Sequence, residues 1–184
     1  LPKMKEIVDH IIDIVNNSIS AGAHNIIIDI HESITNDYLQ LSIIDDGIGI
    51  DEDTLKKITD PFFTTKKDKK VGLGISLLKY HAELADGSFE IKSKKNKGTE
   101  IIASFKMSHI DRQPMGDIAS AIILLITSHP QIHFIYKHKT DLGTFTLDTI
   151  EIKDIINDIS TNNIMRSSLK EYIEENLKKI RMNN

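Results

Sequence analysis

Apolar residues recur at helical spacing from Met4 to about Ser20, at Met4, Ile7, Val8, Ile11, Ile14, Val15 and Ile19. This predicts an amphipathic helix, with Gly22 as its stop. The period then changes to two. Ile26, Ile28 and Ile30 point one way and Ile27, Asp29 and His31 the other, which predicts a strand over Asn25 to His31. Thr35-Asn36-Asp37 reads as a turn, and a second strand follows with Leu39, Leu41 and Ile43 on one face. That strand ends in the glycine-rich turn Asp45-Asp46-Gly47-Ile48-Gly49.

A short helix, roughly Asp53 to Ile58, stops before Pro61, because the residue ahead of a proline disfavours helical geometry. Phe62 to Lys70 is polar, lysine-rich and without period, and reads as a loop. Gly72 to Ala85 has a helical pattern closed by Gly87. Strands Phe89–Lys94 and Thr99–Lys106 then pair across Asn96-Lys97-Gly98. The first 107 residues therefore predict an α+β arrangement, a two-layer α/β sandwich with a mixed sheet covered on one face. Asp111-Arg112-Gln113-Pro114 marks a junction. Beyond it the pattern predicts a helix over about Asp117–Ser128, a hairpin (Ile132–Lys139 and Thr144–Asp148), and helices near Glu151–Asp158 and Ser167–Ile180. The expected division is residues 1–107 and a small α/β extension, 108–184, that can pack on the first part.

Composition narrows the function classes. The 184 residues are 40% hydrophobic, enough for one substantial core, and the net charge of −4 gives no overall attraction to nucleic acid or acidic lipid. Cysteine is absent, which excludes disulfides, thiolate metal sites and a cysteine nucleophile. No stretch approaches the roughly 18–20 apolar residues that span a bilayer. Lys3, Lys5 and Asp9 interrupt any signal-peptide core. A soluble, cytoplasmic protein is the expectation, although the chain starts at Leu1 and native residues can precede it.

Three clusters carry candidate chemistry. Glu6, His10, Asp13 and Asn17 form a polar stripe on the first helix, either its wet side or a site. Asp13 could orient or deprotonate an attacking hydroxyl, and the Asn17 amide oxygen suits Mg²⁺, which shares its shell with phosphates and water. Asp45 has the strand parity of Leu39, Leu41 and Ile43, so its carboxylate heads for the core and needs a donor. The exocyclic amino group of adenine is one such donor; backbone N–H groups of the Gly47/Gly49 turn are another. Val71-Gly72-Leu73-Gly74 opens a helix after a basic loop, an arrangement suited to anions, and Lys66, Lys67, Lys69 and Lys70 could close over a triphosphate or simply be solvated.

The order of these pieces resembles the Bergerat-fold (GHKL) ATPase superfamily of histidine-kinase catalytic domains, anti-sigma-factor kinases, DNA gyrase, Hsp90 and mismatch-repair ATPases. The motifs are Asp13 and Asn17, Asp45-Asp46-Gly47-Ile48-Gly49, Asp60-Pro61-Phe62-Phe63-Thr64-Thr65-Lys66, Gly72-Leu73-Gly74 and Gly98-Thr99, and the resemblance covers about residues 5–107. It implies ATP and Mg²⁺ as ligands. Asn17 would hold the metal, Asp45 would accept the adenine amino group, and Gly47, Gly49 and Ile50 would shape that pocket. Phe62, Phe63 and Thr64 to Lys70, including Thr65 and Lys66, would form the lid. Gly72, Leu73 and Gly74 would meet the phosphates, and Thr99 would sit near the adenine. Asp13 falls where gyrase-like and anti-sigma members place a catalytic Glu, and is one methylene shorter.

Histidine kinases carry a phosphoacceptor hairpin ahead of this domain, and with only a few residues before the first helix that module is not expected here. His10 lies within the site helix and is poorly placed for phosphoryl acceptance, and residues 108–184 are small for a mismatch-repair transducer. Two functions follow as expectations: a kinase or slow ATPase acting on a separate protein, or an ATP-dependent binding switch. The extension, with Ser108-His109-Ile110-Asp111-Arg112, also resembles small bacterial ATP-binding proteins encoded beside iron-hydrogenase subunits, which suggests a redox-enzyme partner. Zinc is not expected. Pro130 breaks the His129/His133 spacing, and His133 and His138 have opposite strand parity.

Overall fold

The computed structural model describes residues 4–58 and 73–181. Its elements are α1 (Ile7–Ser20), β1 (Asn25–Ser33), β2 (Tyr38–Asp45), α2 (Glu52–Ile58), α3 (Leu73–Leu84), β3 (Phe89–Ser93), β4 (Thr99–Lys106), α4 (Ile118–Ser128), β5 (His133–Thr140) and β6 (Gly143–Asp148). A 3₁₀ turn (Lys153–Ile155), α5 (Ile156–Thr161) and α6 (Asn163–Arg181) complete the chain. The first helix starts at Ile7 rather than Met4. Glu6 is its extended N-cap, and the Asp9 carboxylate accepts the N–H groups of Lys5 (2.9 Å) and Glu6 (3.1 Å). Near residue 160 the predicted helices shift, because Asn162 is extended and its Oδ1 accepts the Ile164 N–H at 2.9 Å, starting α6 at Asn163.

The six strands form one sheet in the order β3-β4-β2-β1-β5-β6, with β1 and β5 parallel and every other pair antiparallel. Register places Ile26, Ile28 and Ile30 on the same face as Leu39, Leu41 and Ile43, Ile101, Ala103 and Phe105, and Phe134 and Tyr136. All of these are buried. Each isoleucine, leucine and phenylalanine among them contributes roughly 1.5–3 kcal/mol on burial, so the alternation read in the sequence is also what fixes which face meets the helices. α1, α3, α4 and α6 lie on that face in contact with one another; the opposite face keeps half-buried and exposed residues such as Gln40, Ile102, Lys137 and Thr146. The protein is thus an α+β, two-layer sandwich. Among the described residues no helix is long and apolar enough to cross a membrane.

The residues beyond 108 continue the same sheet and also grip the start of α1. The N–H groups of Ile7 and Val8, which the helix itself cannot satisfy, donate to Pro114 O (2.9 Å) and Met115 O (3.1 Å).

Candidate functional site

A cavity of about 500 Å³ opens between α1, the end of β2 and β4, lined by Ile14, Asn17, Ser18, Ser20, Ala21, Asp45, Ile48, Gly49, Ile50, Ile75, Thr99 and Ile101. Asp45 lies at the end of β2, directly after Leu39, Leu41 and Ile43, each 1% exposed. Its Oδ2 accepts the Ser18 hydroxyl at 2.6 Å and its Oδ1 accepts the Gly47 N–H at 2.9 Å. The turn amide therefore satisfies part of the carboxylate, as one of the two sequence readings had it. A carboxylate offers about four acceptor positions, so two are left while the group still borders an apolar cavity.

The wall opposite α1 is fastened to the β3–β4 hairpin. Ile48 O accepts the Asn96 N–H at 2.6 Å, and the Ile50 N–H donates to Ser93 Oγ at 2.8 Å. Ser93 Oγ lies 2.9 Å from both Gly98 O and Thr99 Oγ1. The approach is close enough to demand glycine: Gly49 has φ +64°, and a Cβ there would fall 2.2 Å from Lys94 O.

On α1 the polar stripe is not a wet face. His10 is fully buried beneath α3, its ring 5.4 Å from that of His81, and its Nε2 meets Gln113 Oε1 at 2.9 Å. Burial lowers the His10 pKa, partly offset by the Gln113 bond. One and two turns further along come Asp13 and Asn17; Asn17 lines the cavity and Asp13 stands beside it, one turn back on α1. Asn17 Nδ2 donates to Asp13 Oδ2 at 3.3 Å, leaving the Asn17 Oδ1 as its remaining hard-oxygen donor. Burial raises the Asp13 carboxyl above the ordinary carboxylate range, with the Asn17 bond pulling the other way. The start of α3 abuts this carboxylate so tightly that a Cβ on Gly74 would lie 1.8 Å from Asp13 Oδ2. The N-terminus of α3 and the Asp13 carboxylate thus lie side by side.

Of the residues singled out in the sequence, Asn17, Asp45, Gly49, Ile50 and Thr99 line the one cavity; Gly47 bonds to Asp45, and Gly74 touches Asp13. Leu73 is the first residue of α3. Phe62, Phe63, Thr64, Thr65, Lys66 and Gly72 lie outside the described residues. Ser18 went unrecognised as a site residue. Its signal was a small hydroxyl four residues after Ile14 and three before Ala21, on the helix face turned to the core. Ile14, Ile48, Ile75 and Ile101, which give the cavity its apolar walls, carried no distinguishing pattern.

Fold and cleft together are those of an α/β-sandwich ATPase domain. The chain belongs to the family described as histidine kinase-, DNA gyrase B-, and HSP90-like ATPase, whose profile matches residues 4–109. It is 34% identical over 90 residues to sporulation kinase E of Bacillus subtilis, covering 48% of this chain and 12% of that protein. It is 34% identical over 80 residues to the anti-sigma F factor of Clostridium perfringens, covering 43% of this chain and 53% of that one. The chain thus spans only part of the length of these relatives. Among solved structures, the Aquifex aeolicus MutL ATPase domain complexed with ADP superposes with a TM-score of 0.49 at 12% identity, covering 83% of this chain and 68% of that one.

Proposed function

We propose that the protein binds ATP with Mg²⁺ in the cavity bordered by Asp45 and transfers the γ-phosphoryl group, to a hydroxyl of a separate protein or to water. The observation that carries this reading is a carboxylate with unfilled acceptor positions facing an apolar cavity that Asn17, bonded to Asp13, also lines. Adenine needs an acceptor for its amino group and apolar walls for its faces, and Asp45 with Ile48, Ile75 and Ile101 supplies both. The triphosphate would extend toward the N-terminus of α3, whose first-turn N–H groups suit phosphate. Asn17 Oδ1 fits a hard cation that takes most of its ligands from phosphate and water. When bound, Mg²⁺ would neutralise phosphate charge.

Asp13 would then accept the proton of the attacking hydroxyl, and burial, by raising its pKa, makes the carboxylate a stronger base. A second reading, an ATP-dependent binding switch, is favoured by the hydrogen bonds from Ile7, Val8 and His10 to residues 113–115, which tie the site helix to the extension. The shorter reach of aspartate also favours it, since about 1 Å of misplacement can cost of order 10²-fold in rate. Calorimetry with Mg·ATP, combined with release or transfer of labelled γ-phosphate in wild type and Asp13→Ala, separates the two. Binding with Asp13-dependent turnover supports the enzyme, binding without turnover supports the switch, and no binding rejects both.

A further inference from the structure

The turn that carries Asp45 is held, at the residue next to it, by a run of polar side chains leading to β6. Asp46 Oδ1 accepts the N–H groups of His24 (2.7 Å) and Asn25 (2.9 Å), and Asp46 Oδ2 accepts Asn25 Nδ2 at 2.6 Å. An ionised carboxylate only accepts, so the amide must show its nitrogen to Asp46 and its oxygen to the other side. On that side Asn25 Oδ1 meets His133 Nδ1 at 2.9 Å. The second ring nitrogen, Nε2, meets Asp148 Oδ1 at 2.9 Å. Burial alone would raise the Asp148 carboxyl, but the Ile150 N–H and the imidazole hold it below the ordinary range, so it too is an acceptor.

Both neighbours of the His133 ring therefore accept, and only an imidazolium donates from both nitrogens. The titratable and charged groups facing it are Asp46, reached through Asn25 on the β1 side, and Asp148 on β6. Along the same sheet face lie Lys137 on its own strand and Asp29 opposite it.

We infer that Asp46, Asn25, His133 and Asp148 are positioning residues, a relay that with His133 protonated holds the Asp45 turn ready for nucleotide, so that ATP affinity falls as His133 loses its proton. The inference rests on the ATP reading above. Its sign follows from the donor count. A neutral ring has one N–H, so one end of the relay faces acceptor to acceptor and opens, and the loss comes on the alkaline side, where the ring has given up its second proton.

The test uses the full chain in two measurements. The first is ¹⁵N NMR of the His133 ring near pH 6, where both nitrogens are expected to carry protons. The second is calorimetric Kd for Mg·ATP at about pH 6 and pH 8 in wild type and His133→Gln. Nucleotide phosphates titrate in the same interval, so the difference between the two proteins is the readout: the wild-type Kd is expected to rise about five-fold more than that of the variant.

A neutral His133 near pH 6 overturns the relay. Parallel pH profiles in two proteins that both bind ATP overturn its coupling to the site. A folded wild type with a charged His133 that binds no ATP at any pH overturns the nucleotide reading instead, and the coupling with it. Should His133→Gln not fold, the wild-type amide resonances of Asp46 and Gly47 decide, supporting the relay if they titrate with the ring and overturning it if they do not.

Discussion

At the Asp45 end of the cleft, four hydrogen bonds are closed before any ligand arrives: Ser18 Oγ and Gly47 N–H to Asp45, Asn96 N–H to Ile48 O, and Ile50 N–H to Ser93 Oγ. At the Asp13 end, the side-chain bonding seen among the described residues is one 3.3 Å bond from Asn17 to Asp13. The first end has met its ordering cost in the fold itself, which is what gives affinity and selectivity to a small rigid ligand. The second, among the described residues, has only that one side-chain bond to rearrange around a charged group. Base recognition and phosphate chemistry should therefore separate under mutation.

The largest effect expected is at the ordered end. Asp45→Asn turns an NH₂ toward one of two groups that donate, the Ser18 hydroxyl or the Gly47 N–H, and removes the acceptor for adenine. Calorimetry should show a Kd for Mg·ATP about 100-fold weaker, with the circular dichroism spectrum unchanged. Asp13→Ala should do the converse, lowering turnover by about 100-fold while Kd moves less than about three-fold. A loss of affinity comparable to that of Asp45→Asn would erase the distinction between the two ends.

Gly74→Ala drives a methyl to within 1.8 Å of Asp13 Oδ2 unless the carboxylate moves, so turnover should fall about ten-fold at nearly constant Kd. The same carboxylate sets a pH dependence. Burial raises Asp13, so the proton-accepting form is gained only as pH rises through that elevated pKa, and the acid limb of kcat should lie above the ordinary carboxylate range and vanish in Asp13→Ala. The smallest effect belongs to Ser18→Ala. It removes one 2.6 Å donor from Asp45 without touching the base, and should weaken Kd about five-fold.

Much of this geometry was legible along the chain. Strand parity put Asp45 in line with Leu39, Leu41 and Ile43, and the sheet face followed because one face is covered by helices while the other is not. What stayed hidden depends on segments far apart in sequence. His10 looked like part of a solvated stripe because nothing within α1 shows that His81 and Gln113 cover it. Ser18 looked like an ordinary small helix residue, since its meaning comes from a carboxylate 27 positions later. The parallel pairing of β5 with β1, which brings His133 against Asn25, is likewise a tertiary choice that local periodicity does not encode.

The most direct test of the central claim is a crystal structure of the chain with Mg·ADP. The account predicts the adenine amino nitrogen within about 2.7–3.2 Å of an Asp45 carboxylate oxygen, between the walls formed by Ile48 and Ile101. A nucleotide bound elsewhere, or a cavity closed by protein atoms at saturating Mg·ADP, would contradict it.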